Sequence, residues 1–127
     1  ATIRLPLRRK RDLAHQALAA VGLDGKHRRL PHAISGGEKE RTAIARAIVN
    51  RPPVILADEP TGNLDSRTSQ EVMRLLLKLK DDGTTVVVVT HSPQCAAYAE
   101  RVLQVADGRL QAEQKSVVAI AFQGQAA

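Results

Sequence analysis

The sequence predicts an α/β protein with a parallel β-sheet, because an amphipathic helix lies between two apolar segments. The segments are residues 54–57 and 84–90, and every residue of the second one is β-branched. Strands joined in this way run parallel, with a right-handed crossover. The 127 residues include one Tyr, one Phe and no Trp, so the expected core is aliphatic. This composition disfavours a module that binds nucleic acid by stacking bases on aromatic rings.

Two helices are predicted ahead of the first strand. Leucine, alanine and valine recur at helical spacing over residues 12–21, which predicts a first helix that Asp12 would cap and Gly22 would end. Residues 22–34 contain two glycines and a proline and predict a loop. The second helix is predicted from Ser35 to about Asn50, and the two prolines that follow end its pattern.

The rest of the chain completes the strand–helix–strand unit and adds shorter elements. The unbroken apolar run of the first strand predicts burial on both faces. Asp65 or Ser66 is expected to cap the connecting helix, and Gly83 to end it. A β-hairpin is predicted to turn at Asp107-Gly108. The later elements are a short helix over residues 93–100, hairpin strands over 101–105 and 109–111, and a tail over 113–127.

Basic residues outnumber acidic ones and cluster near the start of the chain. The formal net charge is +6, the pI is about 10.1, and Arg8–Arg11 are four consecutive basic residues. Such a cluster is either a solvated face or a surface that attracts nucleic acid, an anionic membrane or another polyanion. The single Cys95 excludes an internal disulfide. The longest apolar runs are far shorter than the roughly 20 residues of a membrane-spanning helix.

One candidate binding site is the run Ser35-Gly36-Gly37-Glu38 at the start of the second helix. Two glycines at a helix N-terminus leave backbone N–H groups that a phosphate can approach closely, and the helix dipole favours the anion. A second interpretation needs no ligand, because Ser35 and Glu38 have the spacing of a capping box. The spacing alone leaves both interpretations open.

A second candidate site lies where the two predicted strands end. Asp58 and Glu59 follow the first strand, and His91 follows the second. Because parallel neighbours end at one edge of the sheet, the three side chains are expected to share that edge. One carboxylate can hold Mg²⁺ through water, the other can activate a water molecule, and the histidine can donate to a phosphate oxygen. The alternative is that polar residues simply follow a buried strand as it leaves the core.

Taken together, these motifs resemble the second half of an ATP-binding cassette (ABC) ATPase domain. The resemblance covers about residues 12–112, and the order and spacing of four motifs make it specific. Ile34 and Glu38 depart conservatively from the family pattern LSGGQ. The matches in chain order are the signature loop at residues 34–38, Walker B and its glutamate at 54–59, the D-loop at 63–65 and the switch histidine at 91.

The resemblance implies a role for each matching residue in phosphoryl transfer from ATP. Asp58 would order Mg²⁺ through water, and Glu59 would orient and activate the attacking water. His91 would contact the γ-phosphate. The signature loop would bind the γ-phosphate of ATP held by a second ATPase subunit in a head-to-tail dimer, and Asp65 would cross that dimer interface. The residues implied to bind nucleotide are Ser35, Gly36, Gly37, Glu38 and Asp65.

The implied fold is a partial P-loop NTPase (RecA-like) parallel sheet with part of the ABC helical subdomain. The implied regions are residues 1–50 in that subdomain, 51–112 in the ATPase core and 113–127 as a tail. The Walker A half is missing: no G-x-x-x-x-G-K-[ST] pattern occurs, and Gly22–His27 has the wrong spacing. We therefore expect the chain alone neither to bind ATP tightly nor to hydrolyse it.

Residues 59–66 resemble, within the family, the ATPases of lipoprotein release, macrolide-type export and related cell-division complexes. This resemblance implies a membrane permease as partner, no nucleic acid, and a cytoplasmic location at the inner face of the bacterial plasma membrane. Two alternatives stay open: the ATPase head of a DNA-repair or chromosome-maintenance protein, and an inactive fragment. The absence of coiled-coil heptads disfavours the first alternative.

Overall fold

The computed structural model describes residues 6–118, without the side chains of Pro31 and residues 112–118. The chain divides into two compact units, Ala1–Pro52 and Pro53–Ala127. The first unit is helical, whereas the second contains all four described strands. The predicted features beyond residue 118 lie outside the described residues.

The first unit consists of helix α1 (Leu7–Ala20), a 3-10 turn (Pro31–Ala33) and helix α2 (Gly36–Ile48). Helix α1 begins five residues before the predicted start, so Asp12 lies inside it and the prediction that it caps the helix was wrong. The reason is that the basic residues of the first turns are good helix formers although they carry no apolar stripe. Gly22 follows the helix with φ +74°, as predicted for its end.

Helices α1 and α2 pack against each other through small and branched apolar side chains. The buried apolar side chains described in this unit are Ala17, Val21, Leu23, Ile44 and Ala45. Arg41 adds a polar link, because its Nη1 donates a hydrogen bond to the Val21 carbonyl over 3.2 Å. This link fixes the start of α2 relative to the loop that follows α1.

The second unit begins with a strand–helix–strand motif that is parallel, as predicted. It contains β1 (Val54–Asp58), α3 (Ser66–Asp81) and β2 (Thr85–Val89). Val54 pairs with Thr85, and the register continues to Asp58 opposite Val89. Both strands therefore end at the same edge, and polar residues follow each of them.

The prediction that β1 is buried on both faces was wrong for the described residues. Ile55 is buried, but Leu56 is 77% exposed and Val54 is 48% exposed. Between residues 6 and 118 the sheet contains only β1 and β2, and α3 packs on one side of it. Successive side chains of a strand point to opposite faces, so the residues of β1 on the side away from α3 are exposed. Helix α3 buries Val72, Met73 and Leu76 beneath the sheet.

The last described elements of the unit are helix α4 (Pro93–Ala96) and the antiparallel hairpin of β3 (Glu100–Ala106) and β4 (Arg109–Val118). Asp107 and Gly108 both have positive φ, as the predicted tight turn requires. Helix α4 is shorter than predicted because β3 already begins at Glu100. Strand β4 continues past residue 112, so part of the predicted tail is a strand. None of the described helices is long and apolar enough to cross a membrane.

Candidate active site

The turn after β1 aims the Glu59 side chain across the sheet edge. Asp58 is the last residue of β1 and is exposed, and Glu59 follows it with φ +44°. A left-handed conformation costs a non-glycine residue roughly 1–2 kcal/mol, so the surrounding contacts must hold it. One such contact is the hydrogen bond that the Glu59 amide donates to the Val89 carbonyl over 2.8 Å.

The Glu59 carboxylate is held by the residues that follow β2. Its Oε1 accepts a hydrogen bond from the His91 amide at 2.9 Å and lies 2.7 Å from His91 Nδ1. Its Oε2 accepts a hydrogen bond from the Thr90 hydroxyl at 3.1 Å. The Glu59 side chain is 29% exposed and that of His91 is 76% exposed. The predicted meeting of Glu59 and His91 at one sheet edge is therefore present, with Asp58 one residue before Glu59. We call Asp58, Glu59, Thr90 and His91 the strand-end cluster.

Thr90 is the member of this cluster that the sequence analysis missed. It is 1% exposed, and its hydroxyl both donates to Glu59 and accepts a hydrogen bond from the Ser92 amide at 3.1 Å. A signal was available, because Val86 and Val88 are buried and the period of two places Thr90 on their side. A hydroxyl at the end of a buried valine row needs a polar partner.

The strand-end cluster borders a cavity of about 480 Å³ that is open to solvent. Its lining includes Glu59, Thr61, Gly62, His91 and Gln94. A fixed carboxylate at such a position can accept a proton from water, and an exposed imidazole can donate to an anion. The arrangement suits proton abstraction beside a bound anionic group.

At the start of α2, both hydrogen bonds of a capping box are present. Ser35 Oγ accepts from the Glu38 amide at 3.2 Å, and Glu38 Oε2 accepts from the Ser35 amide at 2.8 Å. The interpretation of residues 35–38 as a capping box is thus confirmed. The box does not use the amides of Gly36 and Gly37, so a capped helix and an anion site are compatible here.

Glu38 also forms an ion pair with Lys26. The Lys26 ammonium, together with the Ser35 amide, lowers the pKa of the Glu38 carboxyl from 4.5 to about 2. Desolvation acts in the opposite direction but is the smaller effect. Glu38 is consequently ionised at neutral pH.

Asp65 caps helix α3 in the structure. Its Oδ1 accepts hydrogen bonds from the Arg67 and Thr68 amides, both at 3.0 Å, and its Oδ2 accepts one from the Thr68 hydroxyl at 2.6 Å. The Thr68 hydroxyl and amide lower the pKa of the Asp65 carboxyl. Of the two predicted caps, Asp65 rather than Ser66 is therefore the one observed.

The donor set fits a magnesium ion that arrives with phosphate and water. Among the side chains that the structure describes, no cluster of three or more His, Cys, Asp or Glu residues could hold a metal. Mg²⁺ does not require such a cage, because it keeps several waters and is often bound by one or two carboxylates plus substrate phosphates. The carboxylate of Asp58 is exposed at the sheet edge, so its chemistry and position fit such a ligand.

Several known proteins are similar to this chain in sequence and in fold. A sequence profile described as ABC transporter matches residues 3–62. The macrolide export ATP-binding/permease protein MacB of Chromobacterium violaceum is 47% identical over 106 residues, which cover 84% of this chain and 16% of that protein. MacB 1 of Yersinia pestis is 48% identical over 107 residues, with the same coverage.

The solved structures agree with the sequence matches. A dimeric structure of the ATP-binding cassette MJ0796, bound to ADP and Pi, superposes with a TM-score of 0.75 at 40% identity and covers 91% of this chain. The chain therefore resembles ABC ATPase cassettes in both sequence and fold. The cassette MJ1267, at 22% identity and a TM-score of 0.82, supports the fold alone. The predicted P-loop NTPase fold and the resemblance to macrolide-export ATPases are thus confirmed, and a DNA-repair head is not favoured.

The match is partial in length. The chain spans 50% of the MJ0796 cassette and 16% of the MacB proteins named above. Each of these relatives therefore contains segments that have no counterpart in the 127 residues of this chain.

Proposed function

We propose that this chain supplies the signature loop and the hydrolytic residues of an ABC ATPase that drives transport through a membrane permease. The strand-end cluster carries the proposal, because Glu59, Thr90 and His91 meet across 31 to 32 residues of sequence. Capping or core packing alone does not require a carboxylate to be held beside a solvent-facing histidine. Hydrolysis of ATP does require a base and a phosphate-binding group side by side.

Within the strand-end cluster, each residue has a distinct proposed role. Glu59 orients the attacking water and accepts its proton. His91 contacts the γ-phosphate with the part of the imidazole that faces solvent. Asp58 would hold Mg²⁺ through water, and the ion would supply neutralisation of phosphate charge when it is bound. Thr90 keeps the Glu59 carboxylate in place.

The signature loop and Asp65 are proposed to act across a dimer. Ser35, Gly36, Gly37 and Glu38 would meet the γ-phosphate of ATP bound to a second ATPase subunit placed head to tail. Asp65 would lie at the same interface. The dimeric form of MJ0796 supports this arrangement. The free amides of the two glycines are the groups suited to the phosphate.

A permease is the proposed mechanical partner, and the cytoplasmic face of the bacterial plasma membrane the proposed location. The support is that the MacB relatives are named ATP-binding/permease proteins. In this proposal the permease, and not this chain, determines which substrate is transported.

The 127 residues by themselves are proposed to be inactive, because they lack the phosphate-loop pattern. Calorimetric titration of the isolated chain with Mg-ATP is expected to give no micromolar binding. Binding in that range would contradict this part of the proposal.

The function itself is tested with the complete ATPase, meaning this chain together with the segment or subunit that supplies its phosphate loop. In vesicles containing the permease, we expect Mg-ATP hydrolysis that depends on Glu59 and responds to the permease. DNA is expected to leave the rate unchanged. Stimulation by DNA with no response to the permease would instead support a DNA-maintenance ATPase, and no hydrolysis at all would refute the proposal.

A further inference from the structure

The last position of the signature loop carries a negative charge in this chain. Glu38 stands where the family pattern has glutamine, and the carboxyl is ionised at neutral pH. If the loop meets a triphosphate as proposed above, a bare carboxylate there would repel it. A glutamate at position 38, in place of glutamine, therefore requires a cation nearby that compensates its charge.

Lys26 is placed to provide that cation. It lies 12 residues before Glu38 and forms an ion pair with Oε1 of its carboxylate, while Oε2 accepts from the Ser35 amide. The Glu38 side chain is 18% exposed and that of Lys26 is 38% exposed. Both carboxylate oxygens are thus engaged within the helical unit, and neither amide of the glycine pair is taken.

The backbone around Lys26 holds the lysine in position. Its amide donates to the Leu23 carbonyl at 3.1 Å, and its carbonyl accepts from the Arg29 amide at 3.0 Å. Leu23 is itself buried in the core of the unit. These turns connect the ammonium to the packed α1–α2 pair, which distinguishes Lys26 from the exposed arginines that follow it.

We propose that Lys26 is a positioning residue that neutralises Glu38, so that a signature loop ending in glutamate accepts a nucleotide triphosphate. The inference rests on the proposed function and deepens it at one site. It predicts that Lys26 matters only as long as residue 38 is an acid. A lysine that merely stabilised the loop would matter whichever residue stood there.

The test is a double-mutant cycle in the complete ATPase, with initial rates measured over a range of ATP concentrations. Lys26→Met is expected to raise KM for ATP by about tenfold with little change in kcat, since it unmasks a charge at the binding step. Lys26→Arg should keep KM within about twofold. In a Glu38→Gln background, Lys26→Met is expected to have no effect on KM. Arg28→Met, in the same loop, removes an equal charge and serves as the matched control.

Thermal melts of every variant separate misfolding from loss of function, and Lys26→Arg keeps the test informative if Lys26→Met is unstable. An unchanged KM in Lys26→Met, or an equal rise in KM with and without Glu38→Gln, would overturn the inference while hydrolysis by the parent protein continued. An elevated KM in Arg28→Met would overturn it too, because general charge would then explain the effect. Absence of hydrolysis in the parent would refute the proposed function itself.

Discussion

The strand-end cluster and the start of α2 use polar side chains in opposite ways. In the cluster, Glu59 is held by Thr90 and His91, which are 31 and 32 residues away. At the helix start, Ser35 and Glu38 are three residues apart and bond to each other's amides. The first arrangement exists only if two strands pair in parallel, whereas the second accompanies any helix that begins there.

This difference separates evidence for function from evidence for structure. A local cap accounts for the conformation of Ser35 and Glu38 without a ligand. No local rule brings Glu59, in a strained backbone conformation, to the end of a different strand. Substitutions in the cluster should therefore change the catalytic rate, and substitutions around the helix start should change binding or stability.

Among the substitutions that follow, replacement of the exposed histidine of the cluster is expected to lower kcat the most. His91→Ala in the complete ATPase should lower kcat by roughly 10²- to 10³-fold, because it removes a donor to the phosphate. Steady-state hydrolysis measures the effect. His32→Ala, an exposed histidine of the helical unit, is the control. Equal activity in the two variants would remove His91 from the mechanism.

A smaller effect is expected at Thr90, which acts through Glu59. Thr90→Val keeps the shape but removes the hydroxyl, and a hydrogen bond to a charged group is worth about 1.5–3 kcal/mol. The expected result is a kcat about tenfold lower with KM unchanged, and Thr90→Ser should retain most of the activity. A loss shared by both variants, with a lower melting temperature, would mean that Thr90 only fills the core.

In the helical unit, the expected change is in stability. Gly22 has φ +74°, and an added Cβ would lie 3.2 Å from Arg41 Nη1. Gly22→Ala should therefore lower the free energy of unfolding by about 1–2 kcal/mol. Gly25, with φ +73° and nothing within 4 Å of such a Cβ, is the matched control for backbone strain alone. Equal losses in urea titrations of the two variants would show that the Arg41 contact is unimportant.

The smallest expected effect is on acid stability. Because the pKa of Glu38 falls from 4.5 to about 2 on folding, its contribution is present above pH 4.5 and is lost as the pH falls toward 2. Glu38→Gln should flatten this part of the stability profile, as measured by unfolding at a series of pH values. An unchanged profile would contradict the Lys26–Glu38 pairing.

Local signals in the sequence predicted much of the fold. The caps at Ser35 and Asp65, the parallel strand pair and the turn at Asp107-Gly108 were all predicted, since each depends on neighbours in the chain or on a repeating pattern. The start of α1 was missed because basic residues form helix without an apolar stripe. These cases rest on propensity and periodicity alone.

Contacts between distant residues were harder to predict. The sequence placed Glu59 and His91 at one edge, but it did not reveal Thr90 as the residue that holds Glu59, or Lys26 as the partner of Glu38. Neither pair has a characteristic spacing, because strand pairing brings Thr90 to Glu59 and the loop after α1 brings Lys26 to Glu38. The exposure of Leu56 also could not be predicted, since it depends on what covers the sheet.

The central claim is that Glu59 activates the water that attacks ATP. Single-turnover hydrolysis by the complete ATPase carrying Glu59→Gln tests it most directly, because the amide keeps the shape but cannot accept the proton. The account predicts that Mg-ATP binds with unchanged affinity and remains intact long after the parent protein has converted it to ADP. Conversion at the parental rate would contradict the account.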